Sequence, residues 1–123
     1  MKILVIEDSM LYKKIIVKYL KEYLPEADYY VCSDGLEGYE AYLKEQPDFI
    51  TLDLLMPKMD GIEFLKLLKK EEIQTKVFVV SADVQQKVKD EVFELGALKF
   101  INKPFSSEKA KELVEIMTGG PGC

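Results

Sequence analysis

The 123-residue chain contains no arginine, no histidine and no tryptophan, and only two cysteines. Without guanidinium groups it has no bidentate clamp for an anion, and without imidazole it has no side chain that ordinarily titrates near neutral pH. Any anion must be met by lysine or by backbone amides. Cys32 and Cys123 show neither CxxC nor metal-ligand spacing, so no disulfide scaffold or zinc site is implied, and they are assigned no role. Long apolar runs are also missing. Stretches such as Ile3–Ile6 and Val77–Val80 fall far short of the roughly 20 residues that a bilayer requires, and the N-terminus has no signal-peptide pattern. A cytoplasmic protein that does not enter the membrane is expected. Positive charge is in deficit, with 17 basic against 22 acidic residues and a net charge of -5. Direct binding to nucleic acid is therefore not expected.

What is present suits one soluble domain, with 48% hydrophobic and 32% charged residues and enough chain to bury a core. Four short runs, 3–6, 49–52, 77–80 and 98–101, are rich in branched or aromatic residues and too brief for helices, so they read as buried strands. A fifth, 29–32, has more polar borders and suits a sheet edge. Helical stripes lie between them. Leu11, Ile15, Tyr19, Leu20 and Tyr23 form the first, ended by Pro25, and Leu36, Tyr39 and Leu43 form the second, ended by Pro47. Phe64, Leu65 and Leu68 mark a third helix entered through Asp60-Gly61. Val84, Val88, Val92 and Leu95 mark a fourth, stopped at Gly96. Ser106 or Ser107 caps a fifth, whose apolar side is Ala110, Leu113, Val114 and Met117. Residues 119–123 cannot continue that helix and read as a flexible tail or linker stub. Met1-Lys2, directly before the first strand, reads as a natural N-terminus.

Strict strand–helix alternation implies right-handed crossovers, a parallel sheet and helices on both faces, which is a doubly wound α/β fold. In such sheets the functional crevice lies beyond the carboxyl ends of the strands. Those ends supply Glu7-Asp8, Asp53, Ser81-Ala82 and Lys103-Pro104. Crowded carboxylates raise one another's pKa unless a cation neutralises them, and an all-oxygen set suits a hard ion, with Mg²⁺ the natural candidate. Lys103 adds a mobile positive charge.

This constellation, together with Pro57 and the turn Asp60-Gly61, resembles the receiver domains of bacterial two-component response regulators over residues 2 to about 117. The resemblance implies a receiver domain over residues 1–118, with a flavodoxin-like sheet of five strands in the order 2-1-3-4-5. It implies Asp53 as phosphoacceptor and Mg²⁺ held by Asp8, Asp53 and the backbone carbonyl of Leu55, with Glu7 reaching the ion through water. Lys103 would pair with the phosphoryl oxygens and Ser81 would donate to them. Phe100 occupies the switch aromatic, often Tyr in the family, and its role stays divided between permanent packing and switching. Phosphorylation would reshape the surface formed by the fourth helix, fifth strand and fifth helix, near Lys87, Lys99 and Lys109. Lacking His, the chain would take its phosphoryl group from a phosphohistidine on a separate sensor kinase or phosphotransfer protein. A downstream protein target is implied, and a phosphorylation-dependent homodimer is compatible with the resemblance. The domain acts as a phosphoacceptor rather than a turnover enzyme.

Residue types weigh against two other classes. An aspartyl-nucleophile, Mg²⁺-dependent phosphohydrolase would want a second carboxylate two residues after Asp53, where Leu55 stands. A flavin carrier would want a Ser/Thr/Gly-rich phosphate loop after the first strand, where Asp8-Ser-Met-Leu-Tyr12 stands. The receiver of a longer regulator with an output domain remains the alternative within the family. The first-helix lysines, Lys13, Lys14, Lys18 and Lys21, read as a solvated face or a contact for an acidic partner.

Overall fold

Alternating side-chain direction along the strands divides the apolar residues between two faces of one sheet. In a computed structural model describing residues 1–119, the order is β1 (Lys2–Ile6), α1 (Met10–Tyr23), β2 (Asp28–Cys32), α2 (Gly35–Glu45) and β3 (Phe49–Leu52). It continues with α3 (Gly61–Lys70), β4 (Lys76–Ser81), α4 (Gln86–Glu94), β5 (Lys99–Asn102) and α5 (Ser107–Met117). The strands are all parallel and lie in the order β2-β1-β3-β4-β5, as the resemblance implies. Ile3, Val5, Phe49, Phe78, Val80 and Ile101 pack on one face with Ile16 and Leu20 of α1 and Ala110, Leu113 and Met117 of α5. Leu4, Ile6, Ile50, Leu52, Val77 and Val79 pack on the other with Phe64, Leu65 and Leu68 of α3 and Val92 of α4. The central strand β3 is buried throughout, whereas the edge strands β2 and β5 are mostly part-exposed.

Side-chain caps start four helices, each contributing about 1 kcal/mol. Ser9 accepts from the Tyr12 amide, Asp34 from Glu37, Ser106 from Lys109, and Asp60 from Glu63 in a reciprocal capping box. Ser106, not Ser107, therefore caps α5. Only α4 begins without a side-chain cap, at Gln85.

Several expected core positions lie outside the core. Leu11, Leu36 and Leu43 are exposed, because α1 turns Ile16 inward and α2 approaches the sheet through Gly38. A side chain at Gly38 would collide with Ile6, so close approach rather than leucine packing sets the face of α2. Val84 precedes α4 and is exposed, and the half-exposed Leu98 precedes β5. The expected tail begins at Gly119, and the rest of it lies outside the described residues. No helix among the described residues is long and apolar enough to cross a membrane.

Candidate functional site

The carboxyl ends of β1 and β3 bring Glu7, Asp8 and Asp53 together, with one carboxylate oxygen from each lying within 4.8 Å of the others. Glu7 and Asp53 are buried and Asp8 is exposed. Strand alternation explains the grouping: Glu7 follows Ile3 and Val5, and Asp53 follows Phe49 and Thr51, so both point toward the α1/α5 face. Lys103, just beyond β5, reaches the same point. Its ammonium donates to Glu7 Oε1 at 2.7 Å and stands 3.6 Å from Asp53 Oδ1. The other Glu7 oxygen accepts from the Ser9 amide at 2.9 Å. Asp53 Oδ1 accepts from the Leu54 amide at 2.9 Å.

Burial pushes the Asp53 carboxyl up to about 6, and Glu7 and Asp8 push in the same direction. Lys103 and the Leu54 amide pull the other way without cancelling the rise. A buried carboxylate beside two further acids and one lysine is a centre in want of positive charge. A hard cation fits three carboxylates grouped this tightly. The loop after β3 is pinned at both ends of its turn. The Gly61 amide donates to the Leu54 carbonyl, and a Cβ at Gly61 would lie 2.4 Å from the Asp53 carbonyl oxygen. Gly35 donates to the Met59 carbonyl, and the buried Asp34 lies 3.8 Å from the ammonium of Lys58. Leu55, within this loop, exposes its side chain.

Ser81 and Phe100 belong to the opposite, α3/α4 side of the sheet. Ser81 is fully buried at the end of β4, where its hydroxyl accepts from the Asp83 amide at 3.2 Å. Phe100 pairs in register with Val79, packs half-buried against the α3/α4 cluster and lies under the Lys89 ammonium at 5.3 Å. The structure thus gathers Glu7, Asp8, Asp53 and Lys103 in one group, and sets Ser81 and Phe100 along a neighbouring strip.

Two contacts escaped sequence reasoning. Tyr12 places its ring 4.1 Å from the Lys103 ammonium. Lys109, expected on the outer face, instead turns its ammonium onto the carbonyls of Asn102 and Pro104, at 2.6 and 2.9 Å, on either side of Lys103. A lysine in the first turn of a helix opposes the helix dipole. That local misfit was the legible signal for Lys109. Tyr12 offered none beyond its place four residues after Asp8.

Fold and site together define a doubly wound domain with an acidic, cation-seeking crevice at the rim of its sheet. The chain belongs to the response regulator receiver domain family, whose profile matches residues 3–115. It is 34% identical to chemotaxis protein CheY of Bacillus subtilis, over 92% of this chain and 93% of that protein. It is also 34% identical to the alkaline phosphatase synthesis transcriptional regulatory protein PhoP of the same organism, over 94% of this chain but only 48% of that one. Among solved structures, the receiver domain of Francisella response regulator 1452 superposes with a TM-score of 0.86 at 31% identity, covering 96% of each chain.

Proposed function

We propose that this receiver domain, acting in the cytoplasm, accepts a phosphoryl group on Asp53 from the phosphohistidine of a sensor kinase or phosphotransfer protein. The supporting observation is the buried Asp53 carboxylate, grouped with Glu7 and Asp8 and faced by Lys103. An Asp53 oxygen forms the new bond to phosphorus as the donor P–N bond breaks, and the electron pair leaves on the imidazole nitrogen. Asp8, Asp53 and the Leu55 carbonyl would hold Mg²⁺, with Glu7 acting through water; the bound ion supplies positive charge that offsets repulsion between the carboxylate and the incoming anion. Lys103 adds charge from the protein itself, and the Leu54 amide orients the acceptor carboxylate. Positioning and electrostatics carry such a transfer. Replacing Asp8 by Ala should weaken Mg²⁺ affinity at least about tenfold through loss of a charged ligand. Lys103→Ala should leave that affinity within a few fold and slow phosphorylation. Calorimetric titration beside a labelling time course checks both, and an Asp8→Ala protein that binds Mg²⁺ like the parent refutes the ligand set.

The response is carried by Ser81 and Phe100. Ser81 spends an acceptor lone pair on the Asp83 amide, which leaves its proton for a phosphoryl oxygen. Movement of Ser81 would drag the 82–85 loop, where Gln85 also donates its amide to Asp83, and α4 beyond it lacks a side-chain cap to resist. Phe100, on the same face as Ser81, would rotate into the space released and present an altered α4-β5-α5 surface to the downstream target. Structures with and without a beryllium fluoride phosphoryl mimic are expected to differ at Ser81 and in the face of α4. A Ser81 left away from the mimic, with α4 unchanged, contradicts this route. The 1–118 unit works either alone, an arrangement suited by a match spanning 93% of the CheY relative, or as the receiver of a longer regulator, suited by a match spanning 48% of PhoP.

A further inference from the structure

Lys103 is the cation of the site, and three groups hold it: Glu7, Asp53 and the ring of Tyr12. Two of these are carboxylates whose charge is committed elsewhere once a metal ion or a phosphoryl group arrives. The third is not. A ring quadrupole carries no net charge for a metal ion or a phosphoryl group to claim, so it attracts the ammonium whichever of them is bound. The contact is also close. Among the described residues the other four lysine–aromatic contacts span 5.3–5.6 Å, whereas Lys103 stands 4.1 Å from the Tyr12 centroid with a side chain only 13% exposed. Removal from water strengthens such an interaction.

Local structure fixes the ring in place. Tyr12 lies in the first turn of α1, its amide bound by the Ser9 cap, and its half-buried side chain packs against the α1/α5 cluster. The hydroxyls of Tyr23 and Tyr29 make hydrogen bonds, but among the described residues that of Tyr12 makes none. The working part of Tyr12 is thus its face.

We infer that Tyr12 is a positioning residue for phosphorylation: its ring keeps the Lys103 ammonium beside Asp53 when the carboxylates are occupied. This rests on the Asp53 reading given above, and the test separates the two. At saturating Mg²⁺, Tyr12→Leu should slow labelling of Asp53 by a small acyl phosphate about fivefold, with Mg²⁺ affinity unchanged within about twofold. Tyr12→Phe, which keeps the ring, should restore at least about half the parental rate. In a Lys103→Ala background Tyr12→Leu should add nothing, because the ring acts only through that lysine. An equal fall in that background, or a Phe variant as slow as Leu, marks Tyr12 as a mere packing residue and overturns the inference. NMR of the Lys103 side-chain methylenes requires no phosphoryl transfer: their ring-current shift should vanish in Tyr12→Leu and persist in Tyr12→Phe. A parent that takes no label at Asp53 defeats the acceptor reading, while an unshifted Lys103 in the parent defeats the role of Tyr12.

Discussion

Incubation with a small acyl phosphate and Mg²⁺ is expected to add one phosphoryl group to the protein, and Asp53→Asn is expected to abolish the gain. The effect should be close to all or none. Among the described residues Asp53 is the member of the acidic group that is both buried and directly faced by the Lys103 ammonium without being its primary hydrogen-bond partner; Glu7 takes that place at 2.7 Å. The amide of an Asn keeps an acceptor for the Leu54 N–H but has no anionic oxygen to form the bond. Chelation of Mg²⁺ should suppress labelling of the parent as well, since the remaining negative charge then repels the donor. Intact-mass spectrometry reads the outcome, and an Asp53→Asn protein that gains the same mass as the parent would remove Asp53 from the mechanism.

The same substitution should stabilise the metal-free protein. A carboxyl held at about 6 rather than 3.8 binds its proton more readily in the folded chain than in the unfolded one. Stability from this group is therefore complete below about pH 4 and is lost as the pH rises through about 6. At neutral pH the ionised Asp53 costs about 1–3 kcal/mol, which Asp53→Asn removes. Thermal unfolding without metal should show Asp53→Asn melting roughly 3–10 °C above the parent at pH 7.5, with the gap closing toward pH 4. A gap that is independent of pH, or a variant less stable than the parent at pH 7.5, would show that the site stores no such repulsion.

Alternation of short apolar runs with helical stripes was enough to read the sheet, its parallel sense and the rim on which the site sits. The acidic trio and Lys103 were legible because each lies just beyond the carboxyl end of a strand, where a parallel sheet gathers its loops. Helix faces were harder. Leu36 and Leu43 looked like core because leucine usually is, but the contact of α2 with β1 depends on the missing side chain of Gly38, and a stripe of large residues cannot reveal an approach governed by a small one. The contact of Tyr12 with Lys103 joins residues distant in sequence, and no local pattern encodes such a meeting, whereas Lys109 meets carbonyls only five and seven positions back. Capping offered more: Asp60 and Ser106 stand where a polar residue precedes an amphipathic run, and both cap their helices.

The division of the strands into two faces has an outcome for traffic through the molecule. Asp53 and Lys103 open toward the α1 and α5 side, while Ser81 and Phe100 look toward α3 and α4, with a sheet one residue thick between them. Only at the rim, where the sheet ends, can a single bound group be touched from both sides. The acceptor group and the Ser81–Phe100 strip therefore lie on opposite faces and meet only there. Substitutions that repack one face can accordingly accumulate without disturbing the other.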